Sequence, residues 1–183
     1  MPLRKKLASS GFTLPELMVV IAIIAILAGI AIPSFRDFIV ISRLAGEAND
    51  LMTDLAFTRA EAGRRGLRAT ICRSTSGTSC ATGSGWEGGR IVYVDIDGDG
   101  AVDADEILRV TPSSADKDVA ITAIKFSTLN SITFRPNGAA SSSGCFEIKE
   151  ASTSQYKRQV MLSTTGRTSL NSPAATGVVL CTP

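Results

Sequence analysis

The sequence contains no histidine, and this absence excludes several classes of catalytic and metal site. The usual serine and cysteine triads need a histidine base, and most zinc sites use imidazole ligands. A serine-nucleophile motif and a phosphate-binding loop are absent from the sequence too. We therefore expect that the protein is not an enzyme.

The chain also lacks a strong excess of either charge. Its 19 lysines and arginines against 17 acids give a net charge of +2. Three of the cations, Arg4, Lys5 and Lys6, precede a long apolar run, and without residues 1–11 there are 16 cations against 17 acids. Such a balance does not indicate nucleic-acid binding by bulk charge, so any such activity needs a local patch.

The four cysteines form no C-x-x-C pair, which argues against a zinc or thioredoxin-like site. An even number in an extracytoplasmic domain is typical of disulfides, and four cysteines allow three connectivities. We favour nearest-neighbour pairing, with four buried free thiols as the alternative. The favoured pairs are Cys72–Cys80 and Cys145–Cys181.

A run of 19 uncharged residues, Leu17–Phe35, dominates the amino-terminal part. A helix of about 20 apolar residues crosses a bilayer core, so we expect one membrane span. The cations at 4–6 favour a cytoplasmic amino terminus, which puts the chain after Arg36 on the other side. A cleaved secretory signal is the alternative, since Ala28–Ala31 offers small residues. The run exceeds the about 7–15 residues of a signal core and has the acid Glu16 at its start, which argues against cleavage there.

Glu16 is an unusual acid for the beginning of an apolar run. A carboxylate costs on the order of 2.5–3.5 kcal/mol at the centre of a membrane helix and less near the interface. Two explanations are open. The side chain lies at the headgroup level, where the helix dipole favours an anion, or it pairs with a cation of a neighbouring subunit.

The helical pattern continues beyond the membrane span. Apolar residues recur at spacings of three and four up to Leu55, whereas acids such as Asp54 are assigned to other faces. Glycines at 63 and 66 flank two arginines, which is a typical stop signal. We expect one helix from about Phe12 to Arg65, interrupted near Pro33.

The rest of the chain is predicted to be an antiparallel β domain packed on the carboxyl-terminal half of the helix, an α+β fold. Its strands are short segments rich in β-forming residues and separated by stretches of glycine and serine. The predicted strands are Leu67–Ser74, Arg90–Ile96, Glu106–Thr111, Val119–Phe126, Ser131–Arg135, Gly144–Glu150, Gln159–Ser163 and Gly177–Cys181.

The segment Gly11–Leu17, with the letters GFTLPEL, resembles the signal of type IV prepilins and type II secretion pseudopilins. The resemblance implies that a prepilin peptidase cleaves between Gly11 and Phe12 and N-methylates Phe12. It also implies that Glu16 pairs with the free amine of a neighbouring subunit during assembly. Pro15 replaces the apolar residue of many members, but proline is compatible with a first helical turn.

Three further segments narrow the resemblance: Phe57–Ala62, Ile132–Gly138 and Leu162–Arg167. With the signal, they resemble the GspH/FimT/FimU family of pseudopilins and minor pilins. This implies the type IV pilin fold and a structural subunit that helps to initiate or cap a type IV pilus or a type II secretion pseudopilus. Its partners would be other pilins, the prepilin peptidase and the assembly platform of the inner membrane. The implied domains are a cleaved leader at 1–11, a membrane and filament-core helix at 12–35, an amphipathic helix at 36–66 and a β-rich periplasmic head at 67–183.

Residues 95–106 match the calcium-loop pattern D-x-D-x-D-G-x5-E, in which oxygen ligands surround the ion. The flanking segments are predicted strands, whereas an EF-hand has helices there, so an acidic, solvated hairpin loop is the alternative. Calcium is the one cofactor that the sequence suggests. The ligating positions are Asp95, Asp97, Asp99, the Ala101 carbonyl, Asp103 and Glu106.

DNA binding for natural transformation is the alternative function. FimT-type minor pilins that bind DNA carry a basic G-R-x-R segment near the carboxyl end, and the similar stretch here, Gly166–Ser169, lacks the second arginine. Lys157, Arg158 and Arg167 could form a small basic patch, and scattered solvated cations are the other interpretation.

Overall fold

The computed structural model describes residues 13–114, 118–152 and 156–171, except for the side chains of 31–34. This part of the chain has one helix and eight strands. Contacts divide the chain into two compact units, Met1–Ile39 and Val40–Pro183. The elements are α1 (Leu14–Arg65), β1 (Ala69–Arg73), β2 (Arg90–Val94), β3 (Ile107–Thr111), β4 (Val119–Ile124), β5 (Ser131–Phe134), β6 (Gly144–Glu150), β7 (Lys157–Leu162) and β8 (Thr168–Asn171).

Helix α1 begins after Thr13, whose carbonyl accepts a hydrogen bond of 3.1 Å from the backbone amide four residues later. Pro15 lies in the first turn, where a residue without an N–H removes no helical hydrogen bond. At the other end Gly66 has a left-handed φ of +69°, and its amide donates to the Ala62 carbonyl at 3.1 Å. The prediction of one long helix is confirmed. A break of the helix near Pro33 is wrong, because α1 continues through this residue as one helix of 52 residues, and a kink there stays a prediction.

The strands form two antiparallel four-stranded sheets, with the orders β3-β2-β1-β5 and β4-β6-β7-β8. The core is one cluster in which Leu51 and Leu55 of α1 join side chains of both sheets, such as Ile71 and Phe146. All four side chains are fully buried. Trp86 meets the Phe146 ring edge-on, with the ring centroids 4.9 Å apart. The carboxyl-terminal half of α1 thus packs on antiparallel sheets, which confirms the predicted α+β class.

Seven of the eight predicted strands overlap an observed strand. The eighth prediction, Gly177–Cys181, lies outside the described residues. Strand β8 was not predicted, since its sequence TSLN is short and contains few residues that strongly favour β-structure. It forms because its backbone completes the ladder beside β7, where Leu162 pairs with Thr168.

Candidate functional site

The first unit presents an apolar helix surface to its surroundings. The side chains of Leu14, Ile26 and Ile30 are 74%, 66% and 72% exposed. An 18-residue window of α1 has a mean hydropathy of 2.7, and none of it is buried. By length and composition this stretch is able to cross a membrane. So large an apolar surface indicates a partner that is itself apolar, either lipid or neighbouring helices.

Glu16 lies in the first turn of α1, and its side chain is exposed. The unpaired amides at the start of a helix and the helix dipole both favour an anion there. Gly11 and Phe12, the predicted processing site, lie outside the described residues. The processing roles of Gly11 and Phe12 and the assembly role of Glu16 stay predictions.

In the second unit, Asp54 forms a buried network that joins α1 to the first sheet. Asp54 is 4% exposed and accepts hydrogen bonds from Arg90 Nε at 2.6 Å and Arg109 Nη1 at 3.0 Å. The Thr111 hydroxyl donates to it at 2.9 Å. Arg109 also lies over the Phe57 ring, 3.8 Å from its centroid. Because buried charges persist only with such partners, the network fixes the helix on the sheet.

The assignment of Asp54 to a polar face of α1 is wrong. Asp54 lies three residues after Leu51 and four before Thr58, and both of these are fully buried. That spacing places all three residues on one stripe of the helix, so it is a signal that could have found the buried acid. It is easily missed, because acidic side chains are seldom buried unless a partner is paired with them.

The three family-like segments of the second unit meet around Arg59. A Cβ built on Gly138 would lie 2.9 Å from Arg59 Nε. One built on Gly166 would lie 3.1 Å from the same nitrogen and 2.0 Å from the Gly138 carbonyl oxygen. Both glycines have a left-handed φ, +79° and +74°. Glycine at these two positions lets the turns close on each other and on the arginine side chain.

Two residues after Arg59 on α1, Glu61 forms ion pairs with two arginines. Its Oε2 lies 2.6 Å from Arg64 Nη2 and 2.9 Å from Arg65 Nε. The hydrogen bonds from Arg64 and then Arg65 lower the pKa of Glu61 from 4.5 to about 2. The carboxylate therefore stays ionised and balances part of the positive charge at the end of α1, where the helix dipole favours cations.

The predicted calcium loop joins β2 to β3. Carboxylate oxygens of Asp95, Asp97 and Asp99 lie within 4.8 Å of one another, which is close enough to share a cation. Each carboxylate also accepts a hydrogen bond from a backbone amide of the loop, at 2.8, 3.2 and 2.7 Å. The flanking elements are strands, as expected from the sequence, and not the helices of an EF-hand.

The rest of the ligand set fits a calcium ion less well. Glu106 is 3% exposed, and its two oxygens accept hydrogen bonds from the amides of Ile96 at 2.5 Å and Asp103 at 3.4 Å. Desolvation and the neighbouring acids, Asp99 first among them, raise the pKa of Asp103. Three carboxylates thus fit a hard cation, whereas Glu106 would have to release loop amides to become a ligand.

The cations of the predicted basic patch do not lie together. Lys157 and Arg158 begin β7, whereas Arg167 lies in the turn beyond Leu162 at its other end. With a rise of about 3.3 Å per residue, the two ends of the strand are roughly 17 Å apart. Lys157 also lies 3.7 Å from a carboxylate oxygen of Glu147. The predicted grouping of these three residues is wrong, and DNA binding stays an untested prediction.

One disulfide, Cys72–Cys80, joins β1 to the loop that follows it, with a Cα–Cα distance of 5.6 Å. Cys145 on β6 is disulfide-bonded as well, and Cys181 lies outside the described residues. The Cys72–Cys80 pairing is confirmed, and the alternative of four free thiols is wrong. The pairing Cys145–Cys181 stays a prediction.

Two family models match the sequence. The family described as "Type II transport protein GspH" matches residues 47–166. The "Prokaryotic N-terminal methylation motif" matches residues 6–32. The first match includes the segments that meet around Arg59, except for Arg167, and the second includes most of the predicted anchor.

Individual relatives are type IV pilins. The type IV major alpha-pilin of Moraxella bovis is 34% identical over 123 residues, covering 64% of this chain and 77% of the pilin. The major fimbrial protein FimA of Dichelobacter nodosus is 38% identical over 81 residues, covering 43% of this chain and 51% of FimA. The chain thus spans about half the length of some of the relatives it matches.

The fold is similar to that of a solved minor pilin. The crystal structure of the type IV minor pilin FimU of Pseudomonas aeruginosa matches with a TM-score of 0.57. The match covers 73% of this chain and 95% of FimU. At 20% sequence identity this likeness shows the fold alone, and it confirms the type IV pilin fold.

Proposed function

Since the chain belongs to the GspH family and is a type IV pilin-like subunit, we propose that it is a minor pilin. In this role it helps to initiate or cap a type IV pilus. The observation that carries the proposal is the division of α1. Its first part is apolar and exposed, whereas its second part is buried in a β-rich head. A helix with one half made for lipid or other helices and the other half fixed to a head suits a filament subunit.

In this proposal the protein is first an anchor and then a filament part. The apolar segment crosses the inner membrane once, and the head lies in the periplasm. The prepilin peptidase cleaves between Gly11 and Phe12 and methylates Phe12. An inner-membrane assembly platform then moves the subunit into the filament, where the apolar helices of neighbouring pilins replace the lipid. Glu16 binds the free amine of a neighbouring subunit, which removes the cost of an unpaired carboxylate in an apolar surrounding.

Processing is tested by mass spectrometry of the protein purified from its membrane. We expect a chain that starts at methylated Phe12, and the full-length chain when the prepilin peptidase is deleted. Glu16→Ala should be processed normally but absent from sheared filaments, since only the docking carboxylate is lost. Asp37→Ala, an exposed acid on the same helix, is the matched control and should be incorporated. An intact Met1 in wild-type cells, or filaments that contain Glu16→Ala at the wild-type level, would contradict the proposal.

The type II secretion pseudopilus is the alternative machine, and deletion of the gene separates the two. We expect loss of surface pili and of pilus-dependent motility, with normal secretion of exoproteins. The opposite result would assign the subunit to the secretion machine. The two machines share the subunit fold, so the distinction depends on the neighbouring subunits.

DNA binding is a second candidate that the sequence suggests. A salt-dependent gel shift with the purified protein tests it, since phosphate contacts weaken as salt rises. Because its cations are dispersed along β7 and the turn after it, we expect no shift at physiological salt. A shift that Arg167→Ala abolishes would establish this second function.

We also propose that the loop between β2 and β3 binds a calcium ion through Asp95, Asp97 and Asp99. Calorimetric titration with calcium tests this directly. Asp97→Ala should abolish the heat of binding, because one of three converging carboxylates is lost. Asp105→Ala is the matched control, since Asp105 is an exposed acid of the same loop outside the ligating positions. A flat titration of the wild-type protein would contradict the proposal.

A further inference from the structure

Arg59 lies in a groove of about 420 Å³ between α1 and the turns that contain Gly138 and Gly166. The arginine is half-buried. Within the described part of the chain, the Arg59 guanidinium makes no hydrogen bond or ion pair, whereas Arg64 and Arg65 share Glu61. A partly desolvated guanidinium with unused donors is a binding group that the head itself does not satisfy.

The groove holds the arginine in a defined position. Arg59 Nε packs so closely on Gly138 and Gly166 that a Cβ at either glycine would come within 2.9 and 3.1 Å of it. The turns on both sides thus limit the rotamers that the side chain can adopt. A donor fork held in this way loses less conformational entropy when a ligand binds.

A second arginine, Arg64, also lines the groove. Arg135 and Arg167 are exposed, and each is close in sequence to one of the two turns that form it. Glu61, the nearest acid along α1, is already occupied by two arginines. The chain after residue 11 has one more acid than cations, so this cluster is a local concentration of charge and not a bulk property.

We propose that the Arg59 groove binds an Asp or Glu side chain of a neighbouring pilin subunit in the filament. The planar guanidinium fork matches the two oxygens of a carboxylate. Small and apolar residues line the groove beside it, such as Ala56, Ala60 and Pro136, and suit the stem of one side chain. The described lining contains no aromatic residue on which a base would stack, which favours an acidic protein segment over a nucleic acid. The proposed function supplies the source of this carboxylate, namely a neighbouring subunit.

The first experiment measures the binding chemistry without a filament. The full chain, in detergent and labelled with ¹⁵N-arginine, is titrated with the capped tripeptide acetyl-Ala-Glu-Ala-amide. We expect a saturable shift of the Arg59 Nε–H signal and no saturation with the Gln tripeptide. Arg59→Lys should weaken binding at least about tenfold, because an ammonium cannot bind both oxygens in the same way. Arg68→Ala removes the same charge at an exposed position outside the residues that line the groove, and it should change binding by less than about twofold.

Gly138→Ala is a second variant, and it keeps Arg59 itself unchanged in the sequence. A Cβ there would meet Arg59 Nε, so we expect the guanidinium to move and the tripeptide to bind at least about tenfold more weakly, since a misplaced fork loses its bidentate geometry. Inorganic phosphate and a single-stranded dodecanucleotide are titrated at the same ionic strength. Tighter binding of either at Arg59 would overturn the proposal in favour of a phosphate ligand, and so would the absence of any saturable shift with the Glu tripeptide.

The second experiment measures incorporation into filaments. Arg59→Glu should be processed and inserted in the membrane, but its share in sheared filaments should fall at least about tenfold, since like charges at a contact repel. Arg68→Ala should be incorporated like the wild-type protein. Normal incorporation of Arg59→Glu overturns this inference and leaves the proposed function intact. If the wild-type protein never appears in filaments, the proposed function fails, while the tripeptide titration still tests the groove.

Discussion

Asp54→Ala should destabilise the second unit by about 3–5 kcal/mol, because it leaves a buried cation without its carboxylate. The substitution removes the acceptor of three hydrogen bonds, from Arg90, Arg109 and Thr111. Arg90 is 3% exposed, so water does not readily replace the lost partner. Small domains are stable by about 5–15 kcal/mol, so the loss is a large share of the total.

Urea unfolding of a fragment that starts at Val40 measures this loss. The fragment contains every core residue that the structure describes. Trp86 is the single tryptophan and is 1% exposed, so its fluorescence reports unfolding. With a slope of about 2 kcal/mol per molar urea, the midpoint should fall by roughly 1.5–2.5 M. The control is Asp50→Ala, an exposed acid on the same helix, which should change stability by less than about 0.5 kcal/mol.

A double variant distinguishes a lost ion pair from a general loss of packing. Asp54→Leu with Arg90→Met removes both charges and also the Arg90 Nη2 group, which is buried without a hydrogen-bond partner among the described residues. Replacing a buried ion pair by apolar side chains is often neutral or stabilising, so most of the stability should return. A loss of less than about 1 kcal/mol for Asp54→Ala, as for a surface ion pair, would refute this reasoning. A double variant as unstable as the single one would refute it as well.

Three further predictions concern the turns, the disulfide and the end of α1. Gly166→Ala should destabilise the head by more than about 2 kcal/mol in the same urea assay, since its Cβ would overlap the Gly138 carbonyl oxygen. In the control Gly46→Ala, the added Cβ meets nothing within 4 Å, so this variant should stabilise α1 by about 0.5–1 kcal/mol. Cys72→Ser opens a loop whose ends are 8 residues apart, and it should lower the free energy of unfolding by about 2–3 kcal/mol under oxidising conditions. Equal urea midpoints with and without the disulfide would contradict this. Because the folded pKa of Glu61 is about 2 and its ordinary value is 4.5, its stabilising effect is fully present above pH 4.5 and is lost as the pH falls towards 2. The stability difference between the wild-type protein and Glu61→Gln should therefore shrink over that pH range, and a constant difference would exclude the ion pairs as its cause.

The parts of the fold that depend on local pattern were predictable. The apolar run, the spacing of Leu51 and Leu55, and the glycine stop at Gly66 are sufficient to predict one long helix and its end. Strands such as Gly144–Glu150 could be recognised because β-forming residues are bounded by glycine and serine. Strand β8 could not, because its letters have little intrinsic preference and its conformation comes from pairing with β7.

The candidate sites were predictable only in part, because contacts between distant segments decide them. The converging aspartates of the acidic loop are close in sequence, so their pattern indicates their geometry. Gly138 lies more than 75 positions after Arg59, and Gly166 lies about 28 positions after Gly138. Nothing in the local sequence indicates that these residues touch. The same holds for Asp54, whose partners are on two strands that follow it by 36 and 55 positions.

The sequence by itself determined the class of the protein: a signal-like segment, an apolar run long enough for a membrane and an amphipathic helix before a β domain. Each is a property of consecutive residues, since hydrophobic length and period are written along the chain. The tertiary structure decided which charged groups are used inside the head and which are left for a partner. It buries Asp54 against two arginines and pairs Glu61 with two more. Among the described residues, no acid pairs with Arg59 in its groove beside two glycine turns. Burial and pairing of charges depend on which strands and turns lie beside the helix, and the folded chain alone specifies that.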